Sequence, residues 1–266
     1  MNLSKMMSLR GRRALITGAA GKLGAVIADT LAELGADLIL IDRPGSDLVT
    51  LEKQLRENWE SNVCQFECDL EDESQRLKLF DVVQGDGLSL NMLVNNAAFV
   101  GDSKLEGWIT SFEDQSLETW RRAMEVNLTS AFHLSQLFSS LLKVSVGGNI
   151  LNIASIYGEY GPDWSLYEGT QMGNPAAYAA SKGGLIQLAR WLATTVAPDV
   201  RVNTISPGGI YRNQNSIFVD RYIARTPLRR MAKEDDFRGV VAFLASDLSS
   251  YVTGQNIAVD GGWGVW

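Results

Sequence analysis

The sequence predicts an α/β protein with a three-layer αβα architecture built on a single, doubly wound, mostly parallel seven-stranded sheet. Seven short aliphatic runs, at 14–17, 38–41, 63–67, 92–95, 149–154, 201–206 and 256–259, alternate with amphipathic segments at 23–34, 48–59, 74–83, 117–142, 177–196 and 233–245. Most of the runs are apolar along their length, as expected of strands covered on both faces. Strands that alternate with helices in this way form a parallel sheet with helices on each side.

Each predicted element carries a recognisable neighbour. The first strand leads through Gly18-Ala19-Ala20-Gly21-Lys22-Leu23-Gly24 into the first helix, and the second strand is closed by Asp42. The third is followed by Cys68-Asp69-Leu70 and the fourth runs into Asn95-Asn96-Ala97-Ala98. The long helix 117–142 holds Val126-Asn127-Leu128, the fifth strand ends at Ser155, and helix 177–196 opens with Tyr178-Ala179-Ala180-Ser181-Lys182. The sixth strand leads into Ser206-Pro207-Gly208-Gly209-Ile210, and the seventh precedes a tail ending Gly261-Gly262-Trp263-Gly264-Val265-Trp266.

Composition narrows the function. A chain of 266 residues, 45% hydrophobic, is long enough for one large core and shows no repeat or low-complexity linker, so a single domain over 1–266 is expected. The formal charge of -7 and a pI near 4.9 argue against a nucleic-acid partner, which needs clustered Lys and Arg. No secretory leader or run of membrane-spanning length occurs, so a cytoplasmic protein without membrane contact is expected. Two cysteines, Cys64 and Cys68, make neither a disulfide framework nor a zinc site, and the lone His133 lies in an apolar helical setting that favours packing or an interface. No metal is expected.

The glycine-rich turn stands where a strand passes into a helix, an arrangement that presents helix N-terminal amides to a pyrophosphate. Gly18, Gly21 and Gly24 permit close backbone approach, with Lys22 and Leu23 between them. Asp42 follows Gly24 by 18 residues, where an acidic side chain accepts hydrogen bonds from an adenosine ribose diol and repels a 2′-phosphate. NAD is therefore favoured; Arg43 and Lys22 supply compensating charge that keeps NADP as the alternative.

At the other end, residues four apart on a helix share a face, so Tyr178 and Lys182 can meet in one cleft. A neighbouring ammonium favours phenolate and suits the hydroxyl to proton transfer near neutral pH. Ser155 can hydrogen-bond a substrate oxygen as charge develops there.

Together these motifs resemble the classical short-chain dehydrogenase/reductase family across nearly the whole chain. The resemblance implies a Rossmann-fold oxidoreductase moving a hydride between a nicotinamide and a carbonyl or secondary alcohol. It implies Asn127, Ser155, Tyr178 and Lys182 as the catalytic set, with Asn127 holding a relay water and Lys182 also gripping the nicotinamide ribose. It places Asp69 and Leu70 at the adenine, Asn96, Ala97 and Ala98 along the adenosine side, and Pro207, Gly208 and Ile210 beside the nicotinamide. It also implies a homodimer or homotetramer joined through the helices carrying Asn127 and Tyr178. The chain departs from the family pattern in Lys22, in Ala98 for a usual glycine, and in Arg212 for a usual threonine.

Ser155 and Tyr178 are separated by 22 residues, more than is usual in that family, and the excess defines an insert within 157–175. Tyr157, Tyr160, Trp164 and Tyr167 there offer stacking faces suited to a sugar, or a structural flap. A lid at about 210–235 carries Arg212, Arg221, Arg225, Arg229 and Arg230, a local basic excess that can clamp a carboxylate or phosphate or simply face solvent. Arg212 and Arg221 are the candidate clamp residues. Insert and tail resemble a bacterial branch of the family linked to flagellin and surface-polysaccharide modification. That implies an anionic sugar substrate, a nonulosonic acid or a nucleotide-linked sugar. An NAD-dependent sugar epimerase or dehydratase with internal hydride return, and a non-catalytic dinucleotide sensor, are the alternatives.

Overall fold

The structure is a computed structural model that describes residues 2–100 and 105–266. A short helix α1 (Leu3–Met7) precedes β1 (Arg13–Thr17), α2 (Lys22–Glu33), β2 (Asp37–Asp42), α3 (Leu48–Trp59), β3 (Val63–Glu67), α4 (Glu73–Gly85) and β4 (Met92–Asn95). Then come α5 (Leu117–Met124), a π-helical turn (Glu125–Thr129), α6 (Ser130–Val144), β5 (Gly148–Ile153), α7 (Ala176–Thr195), β6 (Val200–Pro207), α8 (Ser216–Arg225), α9 (Arg238–Ala245) and β7 (Asn256–Val259). The seven strands form one sheet in the order β3-β2-β1-β4-β5-β6-β7, and every pairing is parallel, where the sequence pattern had left room for a mixed edge.

Alternation of side chains along the strands builds two cores. Ile16, Leu38, Leu40 and Val94 face α2, α3 and α9 through Ile27, Leu31, Leu55 and Leu244. Their strand neighbours Leu15, Ile39, Ile41 and Leu93 face α4, α6 and α7 through Leu79, Leu134, Phe138 and Leu192. Each of these apolar side chains contributes roughly 1.5–3 kcal/mol by leaving water.

Two corrections concern helices. The expected helix 117–142 is interrupted: α5 and α6 are joined by the π turn holding the buried Asn127. A single wide turn of this kind leaves the apolar periodicity of its flanks nearly intact, so the pattern read as one helix. The segment 233–245 likewise begins as a tight 3₁₀ turn (Glu234–Phe237) before α9. The long segment 99–116 includes residues 101–104, which lie outside the described residues.

The strand order reverses between β1 and β4, since β2 and β4 flank β1. In open α/β sheets ligands bind at the carboxyl ends of strands beside such a reversal.

Candidate active site

A cavity of about 1110 Å³ lies along those carboxyl ends, from the turn after β1 to the turn after β6. One end is built by the glycine turn. Gly18 has φ +64, a left-handed conformation, and a Cβ there would stand 2.8 Å from Ala97 Cα. A Cβ on Gly24 would meet the Gly18 carbonyl oxygen at 2.1 Å, so glycine is required for α2 to seat against the turn. Asn96 fastens this arrangement by donating from Nδ2 to the carbonyl oxygens of Thr17 (2.9 Å) and Gly18 (3.0 Å). The Thr17 hydroxyl accepts from Asn96 N and Ala97 N, both at 3.1 Å.

Gly21 is the N-cap of α2 and offers no side-chain cap, so the first amides of that helix face the cavity with only its dipole to answer. Lys22 lines the wall beside them. Asp42 lies further along, its Oδ2 accepting from Ala20 N (2.9 Å) and its Oδ1 from Ser46 Oγ (3.0 Å). These bonds hold the carboxylate at the cavity wall. An uncapped helix terminus, a neighbouring lysine and an oriented carboxylate fit the diphosphate and ribose of a dinucleotide.

All the residues that the sequence assigned to a cofactor line this one cavity, Arg43, Asp69, Leu70, Ala98, Pro207, Gly208 and Ile210 among them. Ser155, Tyr178, Lys182 and Arg212 line its other end. Lys182 is buried, donates from Nζ to Ile153 O at 2.8 Å, and stands 5.9 Å from the centroid of the Tyr178 ring. Burial pushes its ammonium down to about 8. Burial likewise pushes the Tyr178 phenol up, and the nearby Ser155 hydroxyl and the positive charge of Arg212 offset part of that rise. The net displacement is upward, so the lowering expected from the lysine is not seen; Ser155 and Arg212 only oppose the rise.

Asn127 lies behind the cavity wall. Its Oδ1 accepts from Phe99 N (2.6 Å), and its Nδ2 donates to Ser181 Oγ (2.9 Å) and Phe99 O (3.3 Å). It therefore joins the strand end after β4, the π turn and α7.

The aromatic residues of the insert pack against α8 and the tail. Tyr157 and Tyr167 share a hydroxyl–hydroxyl hydrogen bond of 2.6 Å, and Trp164, Tyr167, Phe218, Tyr222, Trp263 and Tyr160 continue an aromatic chain joining insert, α8 and tail. None of Tyr157, Tyr160, Trp164 and Tyr167 lines the main cavity. Arg221 donates to Ser165 O (2.9 Å) and Glu168 O (2.6 Å), so its guanidinium fastens α8 to the insert. Arg225 pairs with Asp163 and Arg230 with Asp236. Of the five lid arginines, Arg212 lines the cavity, anchored by Glu234 at 3.1 Å.

Sequence reasoning missed Arg122. It lines the cavity, bonds both oxygens of Glu71 (3.0–3.2 Å) and lies over the Phe99 ring at 4.9 Å. No local pattern marks a pair 51 positions apart. Cys68 also reaches the cavity, where burial pushes its thiol up to about 11 and leaves it protonated near neutral pH. His133 accepts from Arg76 Nε at 3.1 Å, well away from the reacting end. Among the described residues no His, Cys, Asp and Glu cluster could hold a metal, and no helix is long and apolar enough to cross a membrane.

Comparison with known proteins agrees with this geometry. The family described as Enoyl-(Acyl carrier protein) reductase matches residues 18–264. A tropinone reductase homolog of Arabidopsis thaliana is 35% identical over 98% of this chain and 95% of its own length. The post-translational flagellin modification protein A of Campylobacter coli is 28% identical over 97% of this chain and all of its own. The crystal structure of a short chain dehydrogenase from Leptospira borgpetersenii with bound NAD+ superposes with a TM-score of 0.84 at 33% identity, covering 99% of this chain and 96% of that one. With its parallel seven-stranded sheet and matching motifs from end to end, the chain belongs to the short-chain dehydrogenase/reductase family of NAD(P)-dependent oxidoreductases.

Proposed function

We propose that this chain is an NAD-preferring dehydrogenase or reductase acting on a carbonyl or secondary alcohol of an anionic small molecule, with Tyr178 as acid/base. The observation that carries the reading is one continuous cavity with the uncapped α2 terminus and Asp42 at one end and Ser155, Tyr178 and Lys182 at the other. Bound there, a nicotinamide dinucleotide supplies or accepts the hydride. Ser155 holds the substrate oxygen, and Tyr178 gives that oxygen a proton or takes one from it. Lys182 keeps positive charge beneath the phenol, and Asn127 positions α7 and a path for proton exchange.

Asp42 supports NAD over NADP, because its carboxylate repels a 2′-phosphate. Arg212, the lid cation at the reacting end, supports an anionic substrate. Within that class we favour a sugar acid or nucleotide-linked sugar of surface-glycan or flagellin modification. The Campylobacter coli relative's name supports this choice. We also propose a single domain and a cytoplasmic homodimer or homotetramer. Phe132 on α6 and Trp191 on α7, 41% and 55% exposed, are side chains that a subunit contact would cover. Light scattering that finds a monomer at micromolar concentration would remove the assembly proposal.

Nicotinamide absorbance during turnover tests the activity, with NAD(H) and NADP(H) offered against nucleotide sugars, nonulosonates and simple oxo acids. Turnover abolished in Tyr178→Phe is the expected result. Tight NADH binding with no absorbance change, but with sugar isomers detected by mass and chromatography, would replace this reading with internal hydride return.

A further inference from the structure

The turn after β6, Pro207 to Ile210, closes the reacting end of the cavity; backbone bonds from Gly208 N to Val259 O (3.0 Å) and from Ala232 N to Gly209 O (2.9 Å) tie it to its neighbours, and Tyr222 supports it from outside the cavity. Gly209 N donates to the hydroxyl of Tyr222 at 2.6 Å. The Tyr222 ring fills the space beneath the turn: a Cβ on Gly209 would lie 2.8 Å from Tyr222 Cζ, and one on Gly208 would lie 3.1 Å from the hydroxyl oxygen. Tyr222 is 2% exposed and does not line the cavity, so it acts on the reacting end through its neighbours, the turn first among them.

Tyr222 is itself braced on several sides. Its ring stacks on Trp263 of the tail, with centroids 6.1 Å apart and planes 18° from parallel. The Arg225 guanidinium covers Trp263 at 4.3 Å and pairs with Asp163 of the insert. Phe218 links Tyr222 to Tyr167, and Tyr167 bonds Tyr157, two residues beyond Ser155. Ser155 Oγ accepts from Tyr157 N at 3.2 Å. Insert, α8 and tail thus form one apolar body that touches the reacting end at two places, the Gly208–Gly209 turn and the Ser155 segment.

We propose that Tyr222 is a positioning residue for hydride transfer: its hydroxyl sets the height of the Pro207–Ile210 turn, and the insert and Trp263 are its rigid backing. The proposal rests on reading the cavity as a dinucleotide site whose nicotinamide end lies beside Tyr178. The physical requirement is strict, because a reacting pair misplaced by about 1 Å loses much of its rate. Removing the hydroxyl leaves the part-buried Gly209 N–H without its acceptor, and the turn relaxes to find another.

The test compares wild type with Tyr222→Phe, which keeps the ring, by titrating NADH and ADP-ribose and recording melting temperature. ADP-ribose lacks the nicotinamide and reports the distant end of the cavity alone. The expected result is ADP-ribose affinity within twofold of wild type, NADH binding about tenfold weaker, and altered emission of the bound NADH. Should Tyr222→Phe fail to fold, Trp263→Phe removes backing while keeping the hydroxyl, and the same selective loss is expected of it. Equal weakening of both ligands, or no change in either, overturns the assignment. Wild-type protein that binds neither overturns the dinucleotide reading, and the assignment falls with it.

Discussion

Asn127 Nδ2 donates to Ser181 Oγ across 2.9 Å, tying the π turn between α5 and α6 to the helix that carries Tyr178 and Lys182. Ser181 in turn donates to Tyr178 O at 2.9 Å, so the amide of Asn127 bears on the backbone of the proposed acid/base residue. Asn127→Ala strands the Phe99 N–H, whose 2.6 Å bond to Oδ1 is lost. The expected cost is about 1–3 kcal/mol of stability. Turnover falls by more than that loss of folded protein explains, which kcat measured on the folded fraction checks.

Lys182 makes stability depend on pH. Burial holds its folded pKa down to about 8, below the ordinary lysine value of 10.5, so between these values the unfolded chain binds more protons than the folded one. Stability therefore rises as pH climbs from 8 towards 10.5, and the penalty of a buried ammonium is in full force below pH 8. Relative to Lys182→Met, wild type should gain roughly 2–3 kcal/mol between pH 7 and pH 10.5. Parallel urea curves that stay the same distance apart across this range would refute the assignment.

Arg212 has two measurable consequences. Its charge offsets part of the rise that burial imposes on the Tyr178 phenol. In the oxidation direction the rate rises with pH as the phenol loses its proton, and Arg212→Ala should displace that rise to higher pH. The same variant should raise KM for an anionic substrate about tenfold while leaving neutral analogues unaffected, with the difference shrinking in high salt.

Arg221 should behave in the opposite way. Its guanidinium is engaged by Ser165 O and Glu168 O, so Arg221→Ala frees the insert without removing a substrate contact. The expected outcome is a loss of about 1 kcal/mol and faster proteolysis within 157–175, with KM for substrate unchanged. A large rise in KM would return Arg221 to the substrate.

On the proposed reading, Asp42 governs cofactor choice. Replacing it with Ala removes the charge facing a 2′-phosphate and also the acceptor of Ala20 N at 2.9 Å. Asp42→Ala should narrow the preference for NADH over NADPH by about tenfold, measured as a ratio of dissociation constants. An unchanged ratio would show that Arg43 and Lys22 decide the matter.

Local chemistry made much of this protein legible from its residues. The central strands β1, β2 and β4 are buried along nearly their whole length and read as aliphatic runs, whereas the edge strands β3 and β7 are only partly buried and were visible from their place in the alternation. A glycine at φ +64 beside Ala97 leaves no substitute at Gly18. The four-residue step from Tyr178 to Lys182 places both on one face of α7 whatever surrounds them. The tertiary fold settled what sequence spacing could not: that Asn127 sits in a π turn, that Arg122 meets Glu71, and that Arg221 is spent on the insert while Arg212 reaches the cavity. It also turned the aromatic residues at 157–167 away from the cavity and onto Phe218, Tyr222 and Trp263. Periodicity reports which face of an element is apolar, whereas the partner of a long polar or aromatic side chain depends on which distant segment the packed sheet brings within reach.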